Sequence, residues 1–186
     1  VSNFLVTNKM AEDIRTSSER ISDLVGAVKN FTFMDKDSNR QMTDIHSGIR
    51  NTLTMLNYKL RKANINVIEH YDDSVPKIKA FPGELNQVWT NIIDNAIDAM
   101  EVNNKGNLEI TSKHDARFVK IYIKDDGPGI PKDILQNIFT PFFTTKEMGK
   151  GSGLGLDGVS RIMVQHNGAI KVNSEPGATE FEICLP

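Results

Sequence analysis

Three short segments of this chain carry residue types suited to a nucleotide and its counter-ion. The first is NIIDNAIDAM at 91–100. Asn91 and Asn95 stand one helical turn apart and project from one face, with Asp94 and Asp98 on the adjacent row. Neutral amide oxygens can ligate Mg²⁺ and leave its charge available to phosphates, which keep most of the coordination sphere. A solvated polar helix face would carry the same pattern. The second segment is Asp125-Asp-Gly-Pro-Gly129-Ile-Pro131, directly after a β-type run. An ionised Asp is acceptor-only and can take the hydrogen bond of a base's exocyclic amine, while Gly127 and Gly129 let the backbone come close to a ligand. A proline-glycine turn with a solvated acid is the plainer reading. The third is Gly149-Lys-Gly-Ser-Gly-Leu-Gly155, opening a helix, where free backbone N–H groups suit an anion. Ahead of it, Ile138-Phe-Thr-Pro-Phe-Phe-Thr-Thr-Lys146 offers Phe139, Phe142 and Phe143 as apolar anchors and Lys146 as a cation for a terminal phosphate.

Two simpler glycine motifs fail on inspection. A P-loop requires Gly at position 144 and Ser or Thr at 151, where this chain has Thr144 and Gly151. Gly153, Gly155 and Gly158 match G-x-G-x-x-G, but PFFTTKEMGKGS precedes them instead of a hydrophobic strand, so the β-α-β context of a dinucleotide site is missing.

These segments need elements to position them. Leu85, Val88, Trp89, Ile92, Ile93 and Ala96 predict an inward-facing helix from Glu84 to about Glu101. Ile45, Ile49, Leu53, Leu56 and Leu60 predict another over Thr43–Ala63, and a third runs from Gly155 to His166 with Gly168 at its C-terminal cap. Alternation predicts strands at Asn66–Tyr71, Asn107–His114, Arg117–Lys124, Ala169–Ser174 and Thr179–Leu185. Pro76 and Pro82-Gly83 mark a turn region, and residues 125–155 a long loop of the kind that carries function. The mixture of short-turn strand pairs and helices argues for a two-layer α/β sandwich, one mixed sheet covered by helices on one face. Upstream, Ile14, Ile21 and Val28 on one row and Leu24 and Phe31 on the next repeat every seven residues, so 3–35 reads as a long helix with a narrow seam for homodimerisation. The polar run at 35–39 ends it. The expected division is a partial dimerisation helix over 1–38 and a globular domain over 39–186.

Composition narrows the partners. A net charge of −2, with basic residues scattered and not interleaved with aromatics, argues against nucleic acid. No apolar run approaches the ~20 residues of a membrane span, so no membrane contact is expected of this fragment, and a cytoplasmic setting is. The single cysteine, Cys184, allows neither an intrachain disulfide nor a cysteine metal site. Starting without Met on residues that read as mid-helix, the chain is expected to be a piece of a longer protein whose sensor or membrane portion lies upstream.

In this order the three segments resemble the Asn box, the glycine boxes and the intervening phenylalanine box of sensor histidine kinases, members of an ATPase superfamily shared with gyrase, mismatch-repair ATPases and a heat-shock chaperone. The resemblance spans roughly Phe81–Pro186. FTPFFTTK and GSGLGL look like the nitrogen-regulator class, and residues 10–35 look like the second helix of a dimerisation and phosphotransfer hairpin. It implies ATP and Mg²⁺ as ligands, with Asn91 on the metal, Asn95 supporting metal or phosphates and Asp125 on the adenine amine. Gly127 and Gly129 would shape the base pocket, Gly151, Gly153 and Gly155 would receive phosphates, and residues 131–150 would form a lid anchored by Phe142 and Phe143. Asp98, Ile130, Thr144, Thr145, Ser152 and Leu154 complete the implied nucleotide contacts, and Asn91, Gln87 and Lys146 the catalytic set. Relatives that hydrolyse ATP carry Glu where this chain has Gln87, and an amide cannot act as general base. That favours transfer of the γ-phosphate to a histidine over hydrolysis, with a response-regulator receiver domain as downstream partner. None of His46, His70, His114 and His166 has the sequence context of an acceptor, which places the acceptor upstream, in another chain, or nowhere. Two other readings stay open: an anti-sigma-type serine kinase, against which the 3–35 helix argues, and a nucleotide-sensing module without phosphotransfer.

Overall fold

The computed structural model describes residues 39–146 and 151–186, so the predicted helix at 3–35 and the domain boundary at 38 fall outside the described residues. Strand β1 (Gln41–Thr43) leads into helix α1 (Ile45–Lys62). Asp44 caps α1: its carboxylate accepts from the Ser47 N–H at 3.2 Å, satisfying one of the free donors of the first turn. Lys59, Arg61 and Lys62 in the last turn complement the helix dipole. Ile45, Ile49, Thr52, Leu56 and Leu60 form its buried stripe.

Strands β2 (Ile65–His70) and β3 (Ile78–Ala80) precede the central helix α2 (Pro82–Glu101). The helix starts two residues before the predicted Glu84 because a proline suits the first helical position: its φ is already helical and its missing N–H would have no intrahelical partner. Leu85, Val88, Trp89, Ile92, Ile93, Ile97 and Met100 are essentially inaccessible. One side of α2 packs on α1 and the other on α4.

After α2 come β4 (Gly106–His114), β5 (Val119–Asp125), a single turn α3 (Lys132–Leu135), α4 (Gly155–Gln165), β6 (Ala169–Glu175) and β7 (Ala178–Leu185). The five-stranded sheet has the order β2-β4-β5-β7-β6, with β2 parallel to β4 and every other pair antiparallel. Burial alternates along β5 and β7, and along β4 as far as Lys113. Leu108, Ile110, Ile121, Ile123, Phe181 and Ile183 turn to the helices, while Glu109, Lys120, Tyr122, Lys124, Glu180 and Glu182 take the other face. This is the expected α/β architecture, a mixed sheet with helices on one face.

Two details differ from the prediction. The turn region around Pro76 contains β3, which pairs antiparallel with β1 in a separate two-stranded ribbon (Met42 opposite Lys79); three-residue strands leave too little alternation to read. At the end of α4 the left-handed residue is Asn167 (φ 55°), not Gly168. The Asn167 N–H bonds to Val164 O and the Gly168 N–H to Met163 O, a Schellman cap with asparagine in the strained place. Gly168 is needed for another reason, since a Cβ there would lie 2.5 Å from the Cys184 carbonyl oxygen of β7.

Candidate functional site

The site builds up from one stripe of α2. Gln87, Asn91, Asn95 and Asp98 recur at helical spacing and face the segment that runs into α4. The Asn91 amide nitrogen donates to the Gly155 carbonyl at 3.1 Å. That bond fixes the amide plane and leaves Oδ1 as an oxygen donor close to the start of α4. Lys146 Nζ donates to Asn95 Oδ1 at 3.4 Å and pairs with the Asp98 carboxylate. The two acids that share a row in sequence therefore part company: Asp94 turns to α1 and pairs with Lys59 at 2.7 Å, while Asp98 stays with the stripe. Gln87 Oε1 is buried with no protein hydrogen-bond partner, and its Nε2 lies against Gly158 of α4.

The glycine-rich segment is clasped by backbone contacts. The Phe142 N–H donates to the Gly153 carbonyl at 2.9 Å, and both residues have positive φ, 65° and 66°. Gly153 must be glycine: a Cβ would stand 2.3 Å from the Phe142 carbonyl carbon. The Phe142 side chain is 73% exposed. The expected apolar anchor is thus a backbone clasp, because the close approach to Gly153 turns the ring outward; Phe143 and Phe139 are half-buried. Gly151 lies against Thr144 Oγ1 and the Lys146 stem, and Thr144 Oγ1 accepts from the Lys146 N–H at 3.2 Å. Ser152 Oγ accepts from the Leu154 N–H at 3.3 Å. Thr145 is exposed. Helix α4 begins at Gly155, beside Asn91 of α2, with no side-chain cap, so its first-turn N–H groups lack a capping acceptor.

Asp125 ends β5, in register with Leu108 on one side and Thr179 on the other. It is 4% exposed. Its Oδ1 accepts from the Gly127 N–H at 3.0 Å. Burial pushes its pKa up to about 6, against the lowering effect of that N–H and with a small rise from the Asp126 charge. A carboxylate held at such cost with one protein donor retains acceptor capacity for a ligand. Asp126 is structural, since it takes the Asn107 N–H at 2.8 Å and the Asn107 side-chain amide at 2.7 Å. Gly127 packs on Ala99 of α2, which brings the Asp125 loop to the same helix as the asparagines. Gly129 has φ 83° and sits so close to Glu175 that a Cβ would be 2.2 Å from its carbonyl oxygen.

Two residues here escaped the sequence reading. Ser174 Oγ accepts from the Ile130 N–H at 2.7 Å and lies 2.9 Å from Thr179 Oγ1. Both are buried. The available signal was a hydroxyl at an inward position of a strand whose other inward residues are apolar.

The histidines lie elsewhere. His114 is opposite Val119, at the end of the β4–β5 ladder remote from Asp125. There it meets Ser74 Oγ at 2.9 Å. His46 Nε2 meets Ser112 Oγ at 2.9 Å in that same region, and burial lowers its pKa. His70 is in the adjacent strand beside Glu109, 3.7 Å away. His166 follows the 11-residue α4, about 16 Å along the axis from Gly155. It is buried, accepting from the Phe81 N–H at 3.1 Å with Nδ1 2.9 Å from Ile162 O. A cavity of about 280 Å³ bordered by Asp44, His46, Arg50, Asp73 and Lys77 belongs to that remote region and not to the stripe. Among the described residues no group of three or more His, Cys, Asp or Glu side chains is arranged to hold a metal, and no helix is long and apolar enough to cross a membrane.

Residues 82–186 match the family described as histidine kinase-, DNA gyrase B- and HSP90-like ATPases. Sporulation kinase E of Bacillus subtilis (strain 168) is 39% identical over 140 residues, covering 74% of this chain and 18% of that protein. Sensor histidine kinase ZraS of Escherichia coli (strain K12) is 37% identical over 147 residues, covering 78% of this chain and 31% of that protein. The chain thus spans less than a third of either relative's length. Among solved structures, full-length ShkA in complex with AMPPNP superposes with a TM-score of 0.76 at 27% identity, over 91% of this chain and 36% of that one. Histidine kinase ThkA in complex with response regulator protein TrrA superposes with a TM-score of 0.69, also at 27% identity, over 91% of this chain and 48% of that one.

Proposed function

Because this chain belongs to the family of histidine kinase-, DNA gyrase B- and HSP90-like ATPases, we propose that it binds Mg-ATP and donates the γ-phosphate to a histidine on a dimerisation helix, for relay to a response-regulator aspartate. The observation that carries this reading is the meeting of three parts on α2: the Asn91–Gly155 bond, the Lys146 contact with Asn95 and Asp98, and the packing of Gly127 on Ala99. Together they line up a buried acceptor for the base, a row of amides, a cation and an uncapped helix N-terminus. That sequence of groups suits an adenine followed by a chain of phosphates.

The donor set fits Mg²⁺. Asn91 Oδ1 is left available by the bond its amide nitrogen makes, and a hard cation that keeps phosphate and water ligands needs few oxygens from the protein. Bound there, Mg²⁺ would neutralise phosphate charge. The chain's own residues bind and orient: Asp125 accepts the base amine, Lys146 leaves Asp98 for the terminal phosphate, and α4 offers its free N–H groups to phosphate oxygens. Gln87 supplies no base to activate water. What remains is positioning and charge stabilisation for an incoming nucleophile.

The acceptor histidine is supplied from outside residues 39–186 in this reading. All four histidines present have structural partners or lie along the edge remote from Asp125. The same observation sustains a second reading, a nucleotide-sensing module that passes no phosphate. Incubating the chain, extended upstream through a histidine-bearing helix, with γ-labelled ATP and Mg²⁺ separates the two. Label that is lost in acid and kept in alkali is phosphohistidine and supports the kinase reading. Acid-stable label means transfer to serine or threonine. ATP binding without label sinks phosphotransfer within this protein.

A further inference from the structure

Ser174 lies in β6, outside every segment that the nucleotide reading uses, yet its hydroxyl joins the loop after Asp125 to the strand that pairs with Asp125. On one side it accepts from the Ile130 N–H at 2.7 Å. On the other it lies 2.9 Å from Thr179 Oγ1 and 3.2 Å from the Ala178 carbonyl. Thr179 is the residue opposite Asp125 in the β5–β7 ladder.

A hydroxyl has one hydrogen to give and two lone pairs to receive with. The Ile130 N–H can only donate and takes one lone pair. The Ala178 carbonyl can only accept and takes the hydrogen. What is left on Ser174 is one lone pair for its third partner, the Thr179 hydroxyl, which must therefore donate its hydrogen to Ser174. The polarity of Thr179 is set from behind. With its hydrogen committed to Ser174 it has none to give to Asp125, and Asp125 keeps its acceptor capacity for a ligand.

The same hydroxyl holds the loop in place. Ile130 follows Gly129, where a Cβ would lie 2.2 Å from the Glu175 carbonyl oxygen, and the Gly177 N–H reaches the Pro128 carbonyl at 3.4 Å. The loop that carries Gly127 and Gly129 is thereby stapled to the β6–β7 turn, and Ser174 supplies the shortest bond of the staple.

We infer that Ser174 is a positioning residue for nucleobase selection: by taking the Thr179 hydrogen it keeps the Asp125 carboxylate open to the exocyclic amine of adenine. The inference rests on the reading of Asp125 as the base acceptor. Without Ser174 the Thr179 hydroxyl is free to turn to the carboxylate of its cross-strand partner Asp125, where it competes with the base amine. Cross-strand Cβ atoms lie about 4.5–5.5 Å apart, within reach of such a bond.

The test compares the affinity of the chain for ATP and for purine riboside triphosphate, which lacks the 6-amino group, by titration calorimetry with Mg²⁺, alongside a thermal melt of each variant. Ser174→Ala is expected to weaken ATP roughly tenfold and the 6-unsubstituted nucleotide far less, so that their ratio collapses. Ser174→Ala combined with Thr179→Val is expected to restore much of the ratio, because the competing hydroxyl is gone. A purely structural role predicts equal weakening of both nucleotides and no rescue, and that result overturns the inference. Asp125→Asn, measured in parallel, tells the two failures apart. If it leaves ATP affinity unchanged, the base reading itself is wrong. If it weakens ATP while Ser174→Ala leaves the ratio intact, only the role of Ser174 falls.

Discussion

Replacing Asp125 with Asn should make this protein more stable at neutral pH while weakening its hold on ATP. The side chain is buried, and desolvation raises its pKa from 3.8 to about 6, more than the Gly127 N–H can offset. The sign follows from linkage. A carboxyl whose folded pKa lies above its unfolded value binds its proton more tightly in the native state, so ionising it costs stability. The penalty is absent below about pH 4, grows as pH rises through 4–6, and is complete above 6. At ~1.4 kcal/mol per pH unit, the shift amounts to about 3 kcal/mol at pH 7.5. Asparagine keeps an oxygen for the Gly127 N–H, has nearly the same volume and never ionises. Urea unfolding of wild type and variant at pH 7.5 and 4.5 reads the difference directly. The variant should gain up to about 3 kcal/mol at the higher pH and only about 1 kcal/mol at the lower, and its ATP affinity at pH 7.5 should fall at least tenfold. Equal stability differences at both pH values would refute the desolvation argument. A stabilised variant with intact ATP affinity would refute the assignment of Asp125 to the base.

Three other outcomes follow from the same geometry. Asn91→Ala should abolish most of the gain in ATP affinity that Mg²⁺ confers, since it removes the oxygen assigned to the metal in the proposed reading; titrations with Mg²⁺ and with EDTA check this. Gly153→Ala forces a side chain into a left-handed φ and against the Phe142 backbone, a local cost of about 1–3 kcal/mol. It should lower ATP affinity at least tenfold while leaving the melting temperature nearly unchanged, because the clasp lies outside the helix–sheet core. Gln87→Glu installs a carboxylate where hydrolytic relatives carry theirs, and should raise acceptor-free ATP hydrolysis, measured as phosphate release, by roughly a hundredfold.

Much of this was legible in the residues. Periodicity located α1, α2, α4 and the five strands of the main sheet to within about two residues, because each is long enough for its apolar period to repeat. The β1–β3 ribbon was not, since three residues make no period. The three chemical segments were legible as residue types, and the structure brings them to one helix. Their pairings were not. Asp94 and Asp98 are four apart and equally acidic, and only the position of α1 decides that Lys59 takes one while Lys146 takes the other. Phe142 reads as an apolar anchor because it is a phenylalanine, and it fails as one because its backbone, not its ring, meets Gly153. Ser174 and Thr179 alternate correctly within their strands, so the pattern that identifies a strand also hides the polar pair inside it.

The charges on the α2 stripe bear on how the site works. Positions 87, 91 and 95 are neutral amides, and the stripe's only acid, Asp98, holds the lid cation Lys146. Both partners of that pair are about one third exposed. An ion pair so placed contributes about 0–1 kcal/mol, because solvent screens it and two long side chains must be ordered to make it. The pair therefore holds Lys146 beside the proposed phosphate site without trapping it. In the proposed complex a triphosphate, carrying several negative charges into the same space, would displace a single partly solvated carboxylate from the ammonium, with Asn95 within reach of Lys146 throughout. Had Asp98 and Lys146 been fully buried, breaking the pair would leave an uncompensated charge at a cost of about 3–5 kcal/mol, enough to consume much of the binding energy of a micromolar nucleotide. In the proposed mode of binding, the partial exposure of the pair is what would let one lysine serve both Asp98 and a phosphate.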